Sequence, residues 1–234
     1  MQILTRRTYM STLTKLAGCG ALLCMPMLLF PATLAGNLGT SPGYGTTAGN
    51  QVGNDGAGDD LYQAVGFKLI SSGIVSQYQL ALSCFSVGAC SGSVSNPLTV
   101  ALTSDKSGAP GAVIESFTLN AATLTTFGTP AGNTGALLTL TSKLDPVLVS
   151  GSTYWLELTS DTNNMVVWYF NNSGDTKNSQ SVSLDGGVTW AGGQTPSAFQ
   201  MSGTAIPEPS SVGLVLLAGL LVAIVRKRAT ASAV

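Results

Sequence analysis

Between residues 60 and 205 apolar side chains return at every second position, and nowhere does a helical spacing persist for three turns, so the chain can bury a continuous face only as pleated strands. Tyr78, Leu80 and Leu82 alternate with Gln77, Gln79 and Ala81; Leu98, Val100 and Leu102 alternate with Thr99, Ala101 and Thr103. Period two on an extended backbone sends each set to its own face. Further runs cover residues 62–70, 112–119, 136–141, 153–159, 165–170, 181–184 and 198–202, separated by clusters of Gly, Pro, Asn and Asp. Frequent Thr, Val, Tyr and Trp suit pleated surfaces. About nine short strands without helices predict an all-β domain over 61–204, an antiparallel β-sandwich with jelly-roll-like connections. Residues 36–60 are dominated by Gly, Thr, Asn and Ser and read as a flexible arm leading into it. No period of about 20–50 residues repeats.

A chain of 234 residues holds one such domain plus targeting segments. Arg6, Arg7 and Lys15 precede an apolar run over 16–30, and the small residues Thr33, Ala35 and Gly36 follow. This predicts a signal peptide over 1–35, cut by signal peptidase after Ala35. The general secretory route is the default. Thr5, Arg6, Arg7, Thr8, Tyr9 and Met10 resemble a twin-arginine signal, the alternative route, which would imply folding before export. Leu16, Ala17, Gly18 and Cys19 resemble a lipobox, but the apolar run follows Cys19 instead of preceding it, so lipidation is not predicted.

At the other end residues 212–225 carry no charge and run into Arg226, Lys227 and Arg228, a transmembrane helix with a cytoplasmic stop. At about 1.5 Å per residue this helix reaches roughly 21 Å against a hydrocarbon core of roughly 30 Å. Ser210, Ser211 and snorkelling basic side chains must complete the span. Basic flanks at both ends assign the same side of the membrane to the cytoplasm and leave everything between outside.

Just before the helix stand Pro207, Glu208 and Pro209, whose prolines cannot enter a helix interior and hold an extended peptide at the membrane surface. Residues 205–234 therefore resemble a PEP-CTERM sorting signal, although 229–234 extend further past the basic cluster than such tails usually do. An ordinary single-pass anchor shares the helix and the stop; the Pro-Glu-Pro in its place is what separates the two. The resemblance implies an inner-membrane-anchored precursor, an exosortase as processing partner, and release to the cell surface or extracellular matrix of a polysaccharide-producing Gram-negative bacterium. Within the domain, the segment from Leu102 to Gly111 with its turn Asp105, Lys106, Ser107, Gly108, Ala109, Pro110, Gly111 after a strand, the run 150–158 with Thr153, Tyr154 and Trp155, and the stretch from Trp168 through Asp185 to Phe199 resemble the choice-of-anchor R family. That resemblance covers about 62–203 and implies surface localisation without a defined chemistry.

Composition excludes much. Between the targeting ends only Lys68, Lys106, Lys143 and Lys177 are basic, against ten acidic residues, a net charge of minus six that argues against nucleic acid or anionic lipid as partners. The chain contains no His, which removes Ser-His and Cys-His catalysis and the usual zinc sites. Cys84 and Cys90, the cysteines left after signal removal, read as a disulfide in an oxidising compartment, contributing roughly 2 kcal/mol.

Ser183, Asp185, Gly187, Thr189 and Trp190 resemble the Asp-box of sialidases and related β proteins, a device that ties down a hairpin turn. Sialidase chemistry also needs arginines for its substrate carboxylate, and all four arginines lie in the targeting ends. Glu115 and Glu157 are the domain's only glutamates; a glycosidase would need such carboxylates about 5–9.5 Å apart, whereas solvated strand faces are the default. Asn54, Asp55, Asp59 and Asp60 can hold a structural calcium or form a solvated acidic turn, the latter being the default. Trp155, Trp168, Tyr169 and Trp190 would stack sugars if exposed and pack a core if buried. The expectation that leads is a non-enzymatic surface or matrix protein, structural or adhesive, without a cofactor. A carbohydrate-binding module comes second and a glycan hydrolase third, with extracellular polysaccharide as the polymer either would meet.

Overall fold

The alternation that defines the sequence becomes strand pairing in the computed structural model, which describes residues 32–39, 43–54, 60–69, 71–86, 88–90, 97–160 and 164–206. In chain order the strands are β1 (Ala32–Gly36), β2 (Tyr44–Asn54), β3 (Asp60–Lys68), β4 (Gly73–Cys84), β5 (Leu98–Asp105), β6 (Pro110–Leu119), β7 (Thr125–Thr126), β8 (Leu137–Thr141), β9 (Val147–Leu148), β10 (Thr153–Ser160), β11 (Met165–Asn171), β12 (Ser179–Ser183), β13 (Ala191–Gly192) and β14 (Phe199–Ala205). A 3-10 turn at Ala121–Thr123 and the short helix α1 (Pro130–Gly135) interrupt them. All nine predicted runs lie within or overlap strands, and the fold is all-β.

The sheet runs β1-β14-β4-β11-β2-β3-β10-β5-β6, with β12 against β3 and β13 against β12. Every named pair is antiparallel except β4 with β7. Between β2 and β3 only Gly53 with Leu61 and Asn54 with Asp60 pair, and there the sheet curls. Beyond that bend its two halves face each other. The Phe67 and Phe199 rings lie 5.3 Å apart and those of Tyr78 and Phe117 5.2 Å apart, joining β3 to β14 and β4 to β6. Leu80, Leu82, Leu98, Val100, Leu102, Leu156, Leu158 and Trp168 fill the space between and are fully buried. Each such side chain contributes at most about 1.5–3 kcal/mol.

A second, smaller layer covers the outside of the β4 half. Tyr44, Ala81, Ala136, Tyr169 and Ala198 pack there beneath Leu38, Phe127 and Leu137. Ala81, which alternation assigns to the outward face, is consequently buried, since the 121–137 connection folds over it. The Tyr44 hydroxyl fastens that connection, donating to the Gly132 carbonyl at 3.0 Å and accepting from the Ala136 N–H at 3.1 Å. Thr129 caps α1 by accepting from the Gly132 N–H.

The flexible arm expected over 36–60 is replaced across 44–54 by β2, which lies alongside β11. Glycine is needed there for close approach: a Cβ on Gly49 would stand 2.5 Å from the Trp168 carbonyl oxygen. Composition alone cannot tell that use of glycine from flexibility. The expected cut after Ala35 falls inside β1, which pairs with β14 and puts Leu34 into the core at 6% exposure. Asn37 continues the attachment, donating to the Ser197 carbonyl and accepting from the Phe199 N–H, both at 2.9 Å.

Cys84 and Cys90 are joined as a disulfide with Cα atoms 5.8 Å apart. No helix among the described residues is long and apolar enough to cross a membrane. The twin-arginine-like and lipobox-like segments, Pro207, Glu208, Pro209, the span 212–225 and Arg226, Lys227 and Arg228 lie outside the described residues, as do Asp55 and Asp59.

Candidate functional site

Residues that pair across strands share a face, and neighbours along a strand do not. Leu156, Leu102 and Glu115 form one such row, and Glu157, Ala101 and Ser116 the next. Glu115 thus points into the core and Glu157 outward. The facing carboxylate pair that glycosidase chemistry requires is not formed by these two residues.

Glu115 is 3% exposed and binds four donors: the Tyr78 hydroxyl (2.7 Å), the Ser142 hydroxyl (2.8 Å), and the N–H groups of Lys143 (2.6 Å) and Leu144 (3.1 Å). Burial pushes its pKa upward, but the donors outweigh burial and hold the carboxylate below the usual range. The neighbouring Tyr78 phenol is driven the other way, by burial first and then by its bond to Glu115 and that residue's charge. This is an anchor for the 142–144 connection. Glu157 is half-buried, and burial raises its pKa.

On the outward face of β12, β3 and β10 the chain forms a groove of about 860 Å³. Trp155 contributes its floor. A Cβ on Gly66 would meet two carbons of the Trp155 ring at 2.9 Å, so a glycine in β3 lets the indole lie against the neighbouring strand. The indole N–H donates to Asp105 at 2.8 Å, and the other oxygen of that carboxylate accepts from the Gly108 N–H, fixing the 105–110 turn at the rim. Asp175 stands in the same groove, accepting from the Lys177 N–H and the Asn178 amide. The loop carrying it is held by Asn171, which accepts from the Asp175 N–H at 3.0 Å and donates to the Pro196 carbonyl at 2.9 Å.

The hairpin between β12 and β13 forms another wall. Asp185 accepts from the Thr189 N–H at 2.8 Å and its hydroxyl at 2.6 Å, and from the Ser183 hydroxyl at 2.8 Å. Ser183 in turn accepts from the Gly187 N–H at 2.8 Å. Those bonds pull the Asp185 carboxyl down to about 2. Trp190 donates to the Gly187 carbonyl at 3.2 Å and lines the groove half-buried. The residues singled out in this segment therefore do meet, as a tied turn.

The four aromatic residues part company. Trp168 and Tyr169 are fully buried and Trp155 is 2% exposed, whereas Trp190 keeps surface on the groove. Asp105, Asp175, Asn178 and Gln194 line the same groove without having been singled out as a set. They come from the β5 end and from two segments after β11, so no local spacing links them. The DKSGAPG turn was visible as a turn; its meeting with Trp155 was not. No protein-family model matches the chain, and no curated protein or solved structure is significantly similar to it.

Proposed function

We propose that the chain is an exported cell-surface or extracellular-matrix protein, sorted by a PEP-CTERM tail and carrying a non-catalytic, jelly-roll-like β-sandwich in a structural or adhesive role. One observation carries this reading: the Pro-Glu-Pro motif, apolar run and basic cluster follow directly on the domain's last strand. β14 ends at Ala205, and the Ile206 N–H still bonds to the Ser72 carbonyl at 2.8 Å. In sequence the motif thus begins one residue after that fastening. The disulfide supports an oxidising compartment. The opposite facings of Glu115 and Glu157, and a chain without His, support a role other than hydrolysis.

The test is expression in an exosortase-positive host of the natural chain and of the Pro207→Ala/Pro209→Ala chain, followed by fractionation and intact-mass measurement. The natural chain should lose its tail and leave the inner membrane, and the double variant should stay there with the tail uncut. Identical mass and location for the two would remove the sorting claim.

A further inference from the structure

We infer that the groove between the 183–190 hairpin and the 105–110 turn binds a neutral polysaccharide, with Trp190 as its stacking platform. The proposal deepens the extracellular reading, on which it rests only for where the polymer is met.

Shape comes first. At about 860 Å³ the groove has the capacity of a small-ligand site, and two tryptophans line it. Trp155 is spent on the floor, with its N–H taken by Asp105. Trp190 is different. Its N–H is satisfied by the Gly187 carbonyl and its turn is tied by Asp185 and Ser183, yet the indole stays half-buried at the groove wall. An aromatic held in place before binding loses little freedom on binding, and its apolar surface suits the C–H face of a pyranose.

Chemistry comes second. Asp175, Asn178 and Gln194 offer carboxylate and amide groups around that platform, a mixture suited to neighbouring hydroxyls that both donate and accept. Charge then selects among sugars. The lining holds two carboxylates and no basic side chain, and the region between the targeting ends carries a net charge of minus six. Uronate, sulfate or phosphate polymers would be repelled.

The full-length protein, purified in mild detergent, would be run in native gels containing laminarin, dextran, hydroxyethylcellulose or alginate, with tryptophan fluorescence titrations alongside. Retardation and a fluorescence change are expected with at least one of the three neutral glucans and not with alginate. Trp190→Ala should weaken that binding at least tenfold, while Trp190→Phe keeps part of it. Because Trp190→Ala can disturb the turn, Gln194→Ala, at an exposed position, serves as the second variant: severalfold weaker binding with an unchanged Tm is expected. No binding to any neutral glucan, binding to alginate as strong as to the glucans, or affinity unaltered in both Trp190→Ala and Gln194→Ala would overturn the proposal. A chain that is sorted to the surface but binds no glucan sinks this inference alone; one that binds but stays in the cytosol sinks the localisation alone.

Discussion

Glu115 and Glu157, the two glutamates of the domain, respond to pH in opposite senses because one is buried among donors and the other is half-buried with burial as its resolved cause of shift. For Glu115 the native pKa lies below the unfolded value of about 4.3, so its stabilisation is present above that pH and is lost as pH falls through the native value. Glu115→Gln should cost about 2–3 kcal/mol at pH 7, the scale of hydrogen bonds to a buried charged group. Urea unfolding of the two chains checks this, and their difference should shrink on acidification. For Glu157 the native pKa is raised, so its contribution is fully present below about 4.3 and lost as pH rises through the native value. Glu157→Gln should therefore raise Tm at pH 7 and leave it unchanged at pH 3. The sequence carried more of this than the solvated-face expectation used: Glu115 shares parity with Phe117, and Phe117 is a core residue. The four donors were not legible, because they come from β4 and the 142–144 connection.

Among the elements, β1 and the β3–β10 contact are the most exposed to test. Leu34 brings β1 into the core against Gly73, where a Cβ would stand 2.6 Å from a Leu34 methyl. Leu34→Ala should cost about 2–3 kcal/mol. A chain beginning at Ala32 should likewise unfold at higher urea than one beginning at Gly36, which lacks that side chain and most of the β1 pairing. Equal midpoints would show that β1 adds nothing to the domain's stability. Gly66→Ala should displace the Trp155 indole, two of whose ring carbons would stand 2.9 Å from the new Cβ, and near-UV circular dichroism would register the shift. Strands with clean alternation, such as β4, β5 and β10, were legible from period two. β2 was not, because its glycines serve strand contact; β7, β9 and β13 were not, because two residues carry no period. The groove assembles from segments far apart in sequence, so only its tied hairpin announced itself.

At the scale of the whole molecule, the curled sheet places β1 and β14 side by side, so the first and last of the named strands meet at one edge. The groove lies on the outward face of the other half of the sheet, where β10 and β12 contribute to its lining. The Cys84–Cys90 bridge fastens the end of β4, and disulfides persist mainly in oxidising compartments. The most direct measurement of the account's central claim follows from it: treat intact cells of the native host with a membrane-permeant alkylating agent, without reductant, then fractionate and weigh the protein. Export predicts a domain outside the cytoplasm whose two cysteines take up no alkyl group until a reductant is added. A full-length cytosolic chain alkylated at both Cys84 and Cys90 would contradict it.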